Sequence, residues 1–438
     1  MSEVENSRAS LSAWQDDGCM PRKEQYRAIG IVSLGQCLEF YNFAIFIFFS
    51  DVIGQLFFPV GMPEWLTTVQ TWGLFAAGYL FRPLGGVVLA HFGDLFGRKR
   101  VFAFSVLLMA FSTLGIGLLP AYETIGPVAP VLLLCFRVLQ GIAIGGEVPG
   151  SWTFVAEHVP RKNVGWACGI VCCGLTFGIL LATSVASAVG TLFPLEAVHE
   201  FGWRLPFLLG GVFGLAGLKL RRMLNETPVF DNMRKQKMLV PALPLREVLK
   251  AHRYGIFLSI VVTWILSSVV VLTLTLPIVL HTYGIGKEDA LFAASISTVF
   301  LAIGVTVSGA LLDRVGPSRF FLLYAVLLLV GAFAYLKMEG ADMASLYALC
   351  AVVGLFGGVT AGTPYVMVSS FPARVRYTGV SFAYNVSYAF FGGVTPMIIT
   401  ALSPFGVVSH VIYFVFISLL SLVLGVVLMA RPTALVHR

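Results

Sequence analysis

The chain has 438 residues, of which 58% are hydrophobic and only 12% are charged, and its formal net charge is +7. The charged share is about half of that in soluble domains, which excludes a soluble enzyme because too much apolar surface would face water. The cations lie in alternate connectors rather than in a basic stripe interleaved with exposed aromatics. This placement indicates membrane orientation, and we expect no nucleic-acid partner.

Apolar stretches of about 20 residues, the length that crosses a bilayer, recur along the whole chain. Lys and Arg concentrate in the even-numbered connectors and near both ends, so both termini are predicted to face the cytoplasm. The predicted spans are Arg27–Ser50, Leu66–His91, Val101–Leu119, Pro130–Glu157, Val164–Thr191, Arg204–Leu220, Tyr254–His281, Ala290–Leu312, Phe320–Leu336, Ser345–Ser370, Tyr377–Leu402 and Val407–Met429.

A polar turn at 92–100 separates the second and third spans and has a weaker copy at 311–319. Glycines in both stretches permit a tight chain reversal. A solvated turn whose cations fix orientation would explain one such stretch equally well. The copy, however, lies 219 residues on, which is half the chain length, and this indicates two related halves. The paired residues are Asp94 and Asp313, Gly97 and Gly316, and Arg100 and Arg319.

The longest internal connector, 221–253, contains eight Lys or Arg residues and three prolines, and it is the boundary between the halves. Parallel repeats of six spans are one known transporter architecture. We therefore predict an all-α integral membrane protein with 12 transmembrane helices in two pseudo-symmetric six-helix bundles. The predicted units are a tail at 1–24, a first bundle at 25–223, a linker at 224–252, a second bundle at 253–431 and a tail at 432–438.

Charged residues at membrane depth are costly, so those within the spans are candidates for function. Glu39 lies near the middle of the first span, with Asn42 three residues on and therefore on the same helix face. Arg137 and Glu147 lie on the fourth span, where Gln140 shares the face of Arg137. A carboxyl group in a dry cavity can carry a proton, and an arginine can hold a carboxylate through two hydrogen bonds. The alternative is an internal salt bridge that only holds helices together.

Other residues are weaker candidates. Tyr41, Trp264 and Tyr365 are taken as substrate-lining, although aromatic residues at helical spacing more often pack against neighbouring helices. Arg82 and Glu157 are placed at cytoplasmic helix ends, where they would act in structure or gating. The sequence has no glycine-rich loop ending in Gly-Lys-Ser or Gly-Lys-Thr, no catalytic triad and no metal-ligand spacing, so neither enzymatic activity nor a cofactor is expected.

Four motifs resemble those of the major facilitator superfamily, and within it the metabolite:proton symporters, over about residues 27–430. That group carries proline or betaine, citrate, α-ketoglutarate, dicarboxylates or shikimate. The motifs are Arg82-Pro83-Leu84-Gly85-Gly86 with the turn at 92–100, Arg137-Val138-Leu139-Gln140-Gly141 with Gly145-Gly146-Glu147, Phe371-Pro372 through Gly379, and Phe391-Gly392-Gly393-Val394-Thr395-Pro396.

The resemblance implies a central cavity lined by spans 1, 4, 7 and 10, and halves that rock to expose it alternately. Three departures from the group pattern stand out: Asn42 replaces an aspartate, Ser369 a glutamate and Val164 an arginine. They imply that Glu39 or Glu147 carries any proton and that a charge pair between the halves is missing. The resemblance implies a latch made of Asp94, Arg98 and Arg100, and the gating candidates beyond it are Arg82, Glu157, Asp313 and Arg376.

We therefore predict a secondary active transporter, in which a proton accompanies a small carboxylate-bearing metabolite. The predicted partners are an anionic or zwitterionic solute, protons and the lipid bilayer, and the expected form is a monomer in a bacterial inner membrane. An uncoupled facilitator, an exchanger or an exporter of a similar solute remains the alternative within transport. A receptor or scaffold with a degenerate transporter fold is the alternative outside it.

Overall fold

The computed structural model describes residues 21–59, 61–236, 244–401, 407–431 and 435. Most of the predicted tails and the middle of the predicted linker, at 1–20, 237–243, 432–434 and 436–438, lie outside this part, as does the predicted end of span 11 at Leu402. The first half contains α1 (Arg22–Phe48), α2 (Ser50–Phe57), α3 (Glu64–Leu80), α4 (Arg82–Phe96), α5 (Arg98–Leu118), α6 (Tyr122–Ile125), α7 (Val128–Ala156), α8 (Val164–Leu192), α9 (Leu195–Ala197) and α10 (Arg204–Arg222).

Two short helices follow in the connector and seven further helices form the second half. They are α11 (Pro228–Lys235), α12 (Pro244–Ala251), α13 (Arg253–Thr282), α14 (Lys287–Val315), α15 (Pro317–Leu336), α16 (Met343–Phe356), α17 (Gly362–Ser370), α18 (Arg376–Ala401) and α19 (Val407–Ala430). Apolar runs of this length fold as helices in a bilayer because only a helix satisfies its backbone polar groups within one segment.

Among the described residues, ten stretches are long and apolar enough to cross a membrane, and the bent pair Leu195–Gly202 and Arg204–Arg222 makes an eleventh. A further helix, α18, has 26 residues and reaches about 39 Å at 1.5 Å per residue, which is long enough to cross a bilayer. Its polar side chains Ser381 and Asn385 bond to the first half instead of facing lipid. The predicted all-α membrane fold is therefore confirmed.

Local differences from the prediction occur in the first half. The sequence predicts a loop from residue 51 to 64, but α2 forms there and buries Ile53 and Phe57 against the bundle. The second predicted span ends at His91, whereas α4 continues to Phe96. This span is divided at Phe81, because Pro83 has no N–H and restarts the helix at its first turn.

The polar turns of the two halves have the same backbone geometry. Gly97 ends α4 with φ 108° and begins α5, and Gly316 ends α14 with φ 79° and begins α15. Both values lie in the region that favours glycine. The repeat at 219 residues is thus a repeat of conformation. We call the membrane side on which these two turns lie the Gly97 face.

The halves meet along α8 with α14 and along α18 with α4 and α7. The first contact is very close: a β-carbon on Gly309 would lie 2.3 Å from the backbone oxygen of Gly165. Small residues allow such backbone contact within a membrane, where apolar area alone does not drive association. The rigid helix pairs position the charged residues of the Gly97 face opposite one another.

Candidate functional site

Arg137 lies on α7 in the middle of the first half, with its side chain entirely buried. Its Nη1 donates a 2.7 Å hydrogen bond to Oε1 of Gln140, as their shared helix face predicts. Gln140 in turn donates to the Thr113 hydroxyl at 2.9 Å. The guanidinium carbon lies 4.2 to 5.7 Å from the centres of three rings, Phe46, Phe43 and Phe75. The salt bridges of the described residues do not include Arg137.

Arg82 also lies at mid-depth, which corrects its predicted place at a cytoplasmic helix end. It begins α4, in the middle of a span that runs from Trp65 to Phe96. Its side chain is 1% exposed and donates a long, 3.4 Å hydrogen bond to the Tyr384 hydroxyl. It too takes part in no salt bridge within the described part of the chain. Four rings surround its guanidinium carbon at 4.7 to 5.9 Å: Tyr388, Tyr79, Tyr384 and Phe43.

Tyr79 connects the two arginines. It interacts electrostatically with both Arg82 and Arg137. Its ring also stacks on Tyr388 of the second half, with centroids 6.1 Å apart and planes 7° apart. The two buried cations are therefore parts of one aromatic region between the halves.

Glu147 lies in a polar cluster inside the first half. One carboxylate oxygen accepts hydrogen bonds from Arg221 and from Gln36 at 3.1 Å, and the other accepts from the Ser105 hydroxyl at 2.6 Å. Arg221 forms a buried salt bridge with this carboxylate. Sequence reasoning missed Arg221 because it stands at the start of a basic connector and looks solvated. The signal was its position directly after Leu220, the predicted end of the sixth span, since α10 continues to Arg222.

Glu39 lies beside this cluster and has fewer hydrogen bonds than Glu147. Its carboxyl group lies next to that of Glu147 and near the guanidinium group of Arg221. Its Oε1 atom is buried and has no hydrogen-bond partner among the described residues. The amide group of Asn42, one turn further along α1, is buried and unpaired at both atoms within the same part of the structure. The sequence predicts that Glu39 or Glu147 carries a proton, and that role stays a prediction for both.

On the Gly97 face, Glu157 joins the two halves. Its Oε1 lies 2.9 Å from Nη2 of Arg98 in the first half and 3.0 Å from Nη1 of Arg376 in the second. Its Oε2 accepts a 2.8 Å hydrogen bond from the Thr227 hydroxyl in the connector. Asp94 lies 3.6 Å from Arg98 and accepts a 2.9 Å hydrogen bond from the backbone N–H of Thr378. We call Asp94, Arg98, Glu157 and Arg376 the charged latch.

Two other predicted gating residues lie outside the charged latch. The side chain of Arg100 is exposed. Asp313 accepts hydrogen bonds of 2.7 Å each from the backbone N–H groups of Gly165 and Trp166 in the first turn of α8. A carboxylate at a helix N-terminus is favoured by the unpaired N–H groups and the helix dipole. Asp313 is therefore a second, separate contact between the halves.

A cavity of about 80 Å³ lies between the halves next to the Arg82 region. None of its described lining residues carries a charge, and its walls include the rings of Phe40, Trp152, Tyr384 and Tyr388 and the hydroxyl groups of four threonines. Arg137, Gln140 and Asn42 do not line it. The sequence analysis did not identify the rings of Phe40, Trp152 and Tyr388 as lining residues.

The predicted aromatic candidates pack inside their own halves instead. The Tyr41 hydroxyl donates a 2.9 Å hydrogen bond to the Pro206 carbonyl. Trp264 stacks on Phe391 with centroids 4.2 Å apart and donates a 3.3 Å hydrogen bond to the Tyr413 hydroxyl. Tyr365 is partly buried against the second-half core. Their contacts are those of helix packing, and a role in binding solute stays a prediction for each of them.

The family model of the Major Facilitator Superfamily matches residues 32–396. A putative proline/betaine transporter of Staphylococcus aureus is 34% identical over 392 residues, which cover 86% of this chain and 82% of the relative. The proline/betaine transporter of Escherichia coli is 30% identical, with 84% and 76% covered. A glycine betaine/proline/ectoine/pipecolic acid transporter of Dickeya dadantii is 31% identical, with 85% and 76% covered.

Among solved structures, the proton:xylose symporter XylE bound to 6-bromo-6-deoxy-D-glucose superposes with a TM-score of 0.78. The two chains are 17% identical, and the superposition covers 94% of this chain and 96% of the other, so this likeness concerns the fold. These three relatives are named as transporters and not as enzymes. The chain belongs to the major facilitator superfamily of membrane transporters and, within it, groups with the proteins named proline/betaine transporters.

Proposed function

We propose that this transporter carries a small carboxylate-bearing solute, of the proline and betaine class named in its relatives, together with a proton. The observation that carries the proposal is the pair of buried guanidinium groups, Arg82 and Arg137, which have no carboxylate partner among the described residues. A buried cation without an anion is costly, and a solute carboxylate can accept two hydrogen bonds from an arginine.

The proton is carried by Glu39 in this proposal. Two buried carboxylates side by side repel each other, so a proton on one of them relieves the repulsion, and Glu39 and Glu147 lie next to each other. Glu147 accepts three hydrogen bonds, one from the cation Arg221, so its carboxylate form is held in place. Glu39 has an unbonded oxygen and is free to exchange its proton when water reaches it. Asn42, which is uncharged at every pH, contributes no proton.

Alternating access supplies the transport step. The charged latch closes the Gly97 face in this structure, and binding of solute and proton would shift the equilibrium between this form and one open on that side. We also propose that the Gly97 face is cytoplasmic, as the cation distribution indicates. The bundle boundaries at 25–223 and 253–431, the inner-membrane location, the cytoplasmic termini and the monomeric state belong to the same proposal.

The test is uptake of proline and glycine betaine into proteoliposomes under an imposed pH gradient. We expect the native protein to accumulate one of them, with proton entry reported by a trapped pH dye. Glu39→Gln should lose accumulation but keep exchange of labelled for unlabelled solute, because only the proton step is removed. Glu123→Gln, the same change at an exposed residue, should behave as the native protein.

Each contrary outcome has a defined meaning. Equal accumulation by Glu39→Gln would remove Glu39 from coupling. Equilibration of the solute without any response to the gradient would instead favour an uncoupled facilitator or exchanger, the candidate that Asn42 supports. Glu147→Gln is a poorer probe, because it leaves Arg221 buried beside a neutral amide and so disturbs the fold.

A further inference from the structure

We propose that the aromatic wall of the central cavity, Trp152, Tyr384 and Tyr388, is a subsite for a quaternary ammonium group, and that Arg82 beside it receives the solute carboxylate. The inference rests on the proposed function and narrows its solute to a compact zwitterion with a methylated nitrogen. It also makes Arg82, rather than Arg137, the first arginine that the solute meets.

The rings of this wall already hold a cation. The Arg82 guanidinium carbon lies 4.7 Å from the Tyr388 ring centre and 5.5 Å from that of Tyr384. Both distances are within the range of about 6 Å for attraction between a cation and a ring face. Trp152, the best ring type for this interaction, packs edge-on against Tyr384 with centroids 4.9 Å apart. The electron-rich faces needed for an ammonium group are therefore in place.

The described lining of the cavity contains no carboxylate that could neutralise an ammonium group. A primary ammonium would lose its hydrogen bonds to water there and find few acceptors, since the polar lining consists mainly of hydroxyl groups. A quaternary ammonium has no N–H groups to satisfy, and its methyl groups suit an apolar wall. The aromatic rings would then supply the electrostatic attraction.

The carboxylate end of the solute fits Arg82. The 3.4 Å hydrogen bond from Nη2 of Arg82 to the Tyr384 hydroxyl is long, and Nε of Arg82 is buried without a hydrogen-bond partner among the described residues. A carboxylate arriving from the cavity side of Tyr384 would offer shorter, charge-assisted bonds to both. Arg82 touches the same two tyrosines that line the cavity, so the two charged ends of a short zwitterion can be bound at once.

Both halves of the protein contribute to this subsite. Trp152 belongs to α7 in the first half, whereas Tyr384 and Tyr388 belong to α18 in the second. An ammonium group between them is bound fully only while the halves are together. The subsite would thus link recognition of the methylated nitrogen to closure of the cavity.

The test compares glycine betaine with 3,3-dimethylbutyrate, which has the same shape but carbon in place of the charged nitrogen. Binding is measured by calorimetry on the purified full chain, without a pH gradient. We expect the native protein to bind betaine about tenfold more tightly than its carbon analogue. Tyr388→Leu should weaken betaine binding about tenfold and leave the analogue within about twofold, whereas Tyr388→Phe, which keeps a ring, should preserve the preference.

Equal affinity of the native protein for the two molecules would overturn the inference, as would an equal loss of both in Tyr388→Leu. Trp152→Leu gives a second measurement from the other half if Tyr388→Leu fails to purify as a single species. Binding without a gradient also separates this inference from the proposed function. Gradient-driven uptake with no preference for betaine would refute the subsite alone, whereas the absence of gradient-driven uptake would refute the coupling.

Discussion

The two aspartates of the polar turns, Asp94 and Asp313, both accept hydrogen bonds from a helix start in the other half, but their surroundings differ. Asp94 accepts a hydrogen bond from the first turn of α18, and Asp313 accepts two from the first turn of α8, so each half stabilises a helix start in the other. Around Asp94, three more charged side chains complete the charged latch. Around Asp313, the corresponding positions carry no charge.

The missing charges can be assigned by position. Arg376 begins α18 directly after a three-residue 3-10 turn, and Val164 begins α8 after the same kind of turn. Ser369 near the end of α17 corresponds to Glu157, and Pro317 follows Gly316 as Arg98 follows Gly97. Both contacts have the repeated backbone, whereas only the contact around Asp94 has the additional charges. We infer that the charged latch determines most of the stability of the closed Gly97 face.

The largest effect is expected from Glu157→Gln, which breaks the charged latch, the contact with more salt bridges. The change removes the negative charge that lies between the buried guanidinium groups of Arg98 and Arg376. Breaking a buried pair in this way costs about 3 kcal/mol or more. Hydrogen–deuterium exchange at the first turn of α18 should accelerate on the order of a hundredfold. Exchange as slow as in the native protein would show that Glu157 does not hold the face closed, with Glu123→Gln as the control.

The direct comparison is Asp94→Asn against Asp313→Asn, with the exposed Asp289→Asn as control. Each change removes the charge at a helix N-terminus, which is worth about 1 kcal/mol, and Asp94→Asn also weakens a buried ion pair. We expect faster amide exchange at Thr378 in the first variant and at Gly165 in the second, with the larger increase in the first. A larger effect of Asp313→Asn would reverse the asymmetry that we infer between the two contacts.

The smallest effect concerns pH and His158, which lies buried beside the charged latch and bonds to the Phe154 carbonyl at 2.8 Å. Burial lowers the pKa of His158 below its ordinary value of 6.5, and the positive charge of Arg98 acts in the same direction. The hydrogen bond to the Phe154 carbonyl and the attraction of Glu157 oppose this shift. The unfolded chain therefore binds the proton first, so stability contributed by neutral His158 is complete above pH 6.5 and declines as the pH falls below it.

His158→Gln should remove that part of the acid sensitivity, because an amide does not titrate. Melting temperatures of the native and variant proteins between pH 7.5 and 5 measure the difference. The described partners of Asp313 include no histidine. Amide exchange at Gly165, which donates to Asp313, should therefore be the same in the native protein and in His158→Gln. An identical pH dependence of the two melting curves would exclude His158 as a contributor.

Sequence analysis predicted the fold and, through the family resemblance, part of the charged latch: Asp94 and Arg98 lie in it, whereas Arg100 is exposed. Hydropathy determines which segments cross the membrane. Short polar turns have few conformations, so the equivalence of Asp94 and Asp313 in the two halves could be predicted. The partners of the buried charges could not be predicted. Arg221 and Arg82 look like helix-end cations, and only the packing of α10 on α1 and α5, and of α4 on α7, shows that both are enclosed. Trp264 looks like a pocket residue, but stacking on Phe391 occupies its ring.

Only part of the connector between the halves spans the distance between them, because residues at both of its ends are bonded to one half each. Its first part is fixed to the first half, because Glu226 accepts hydrogen bonds from the backbone N–H groups of Arg98 and Lys99 and Thr227 donates to Glu157. Its last part is fixed to the second half through a salt bridge from Glu247 to Arg374. Nine residue steps separate Lys235 at the end of α11 from Pro244 at the start of α12, and a chain of that length reaches about 30 Å at full extension. This length sets an upper limit on how far the ends of α11 and α12 can move apart at this face before one of the anchors has to release.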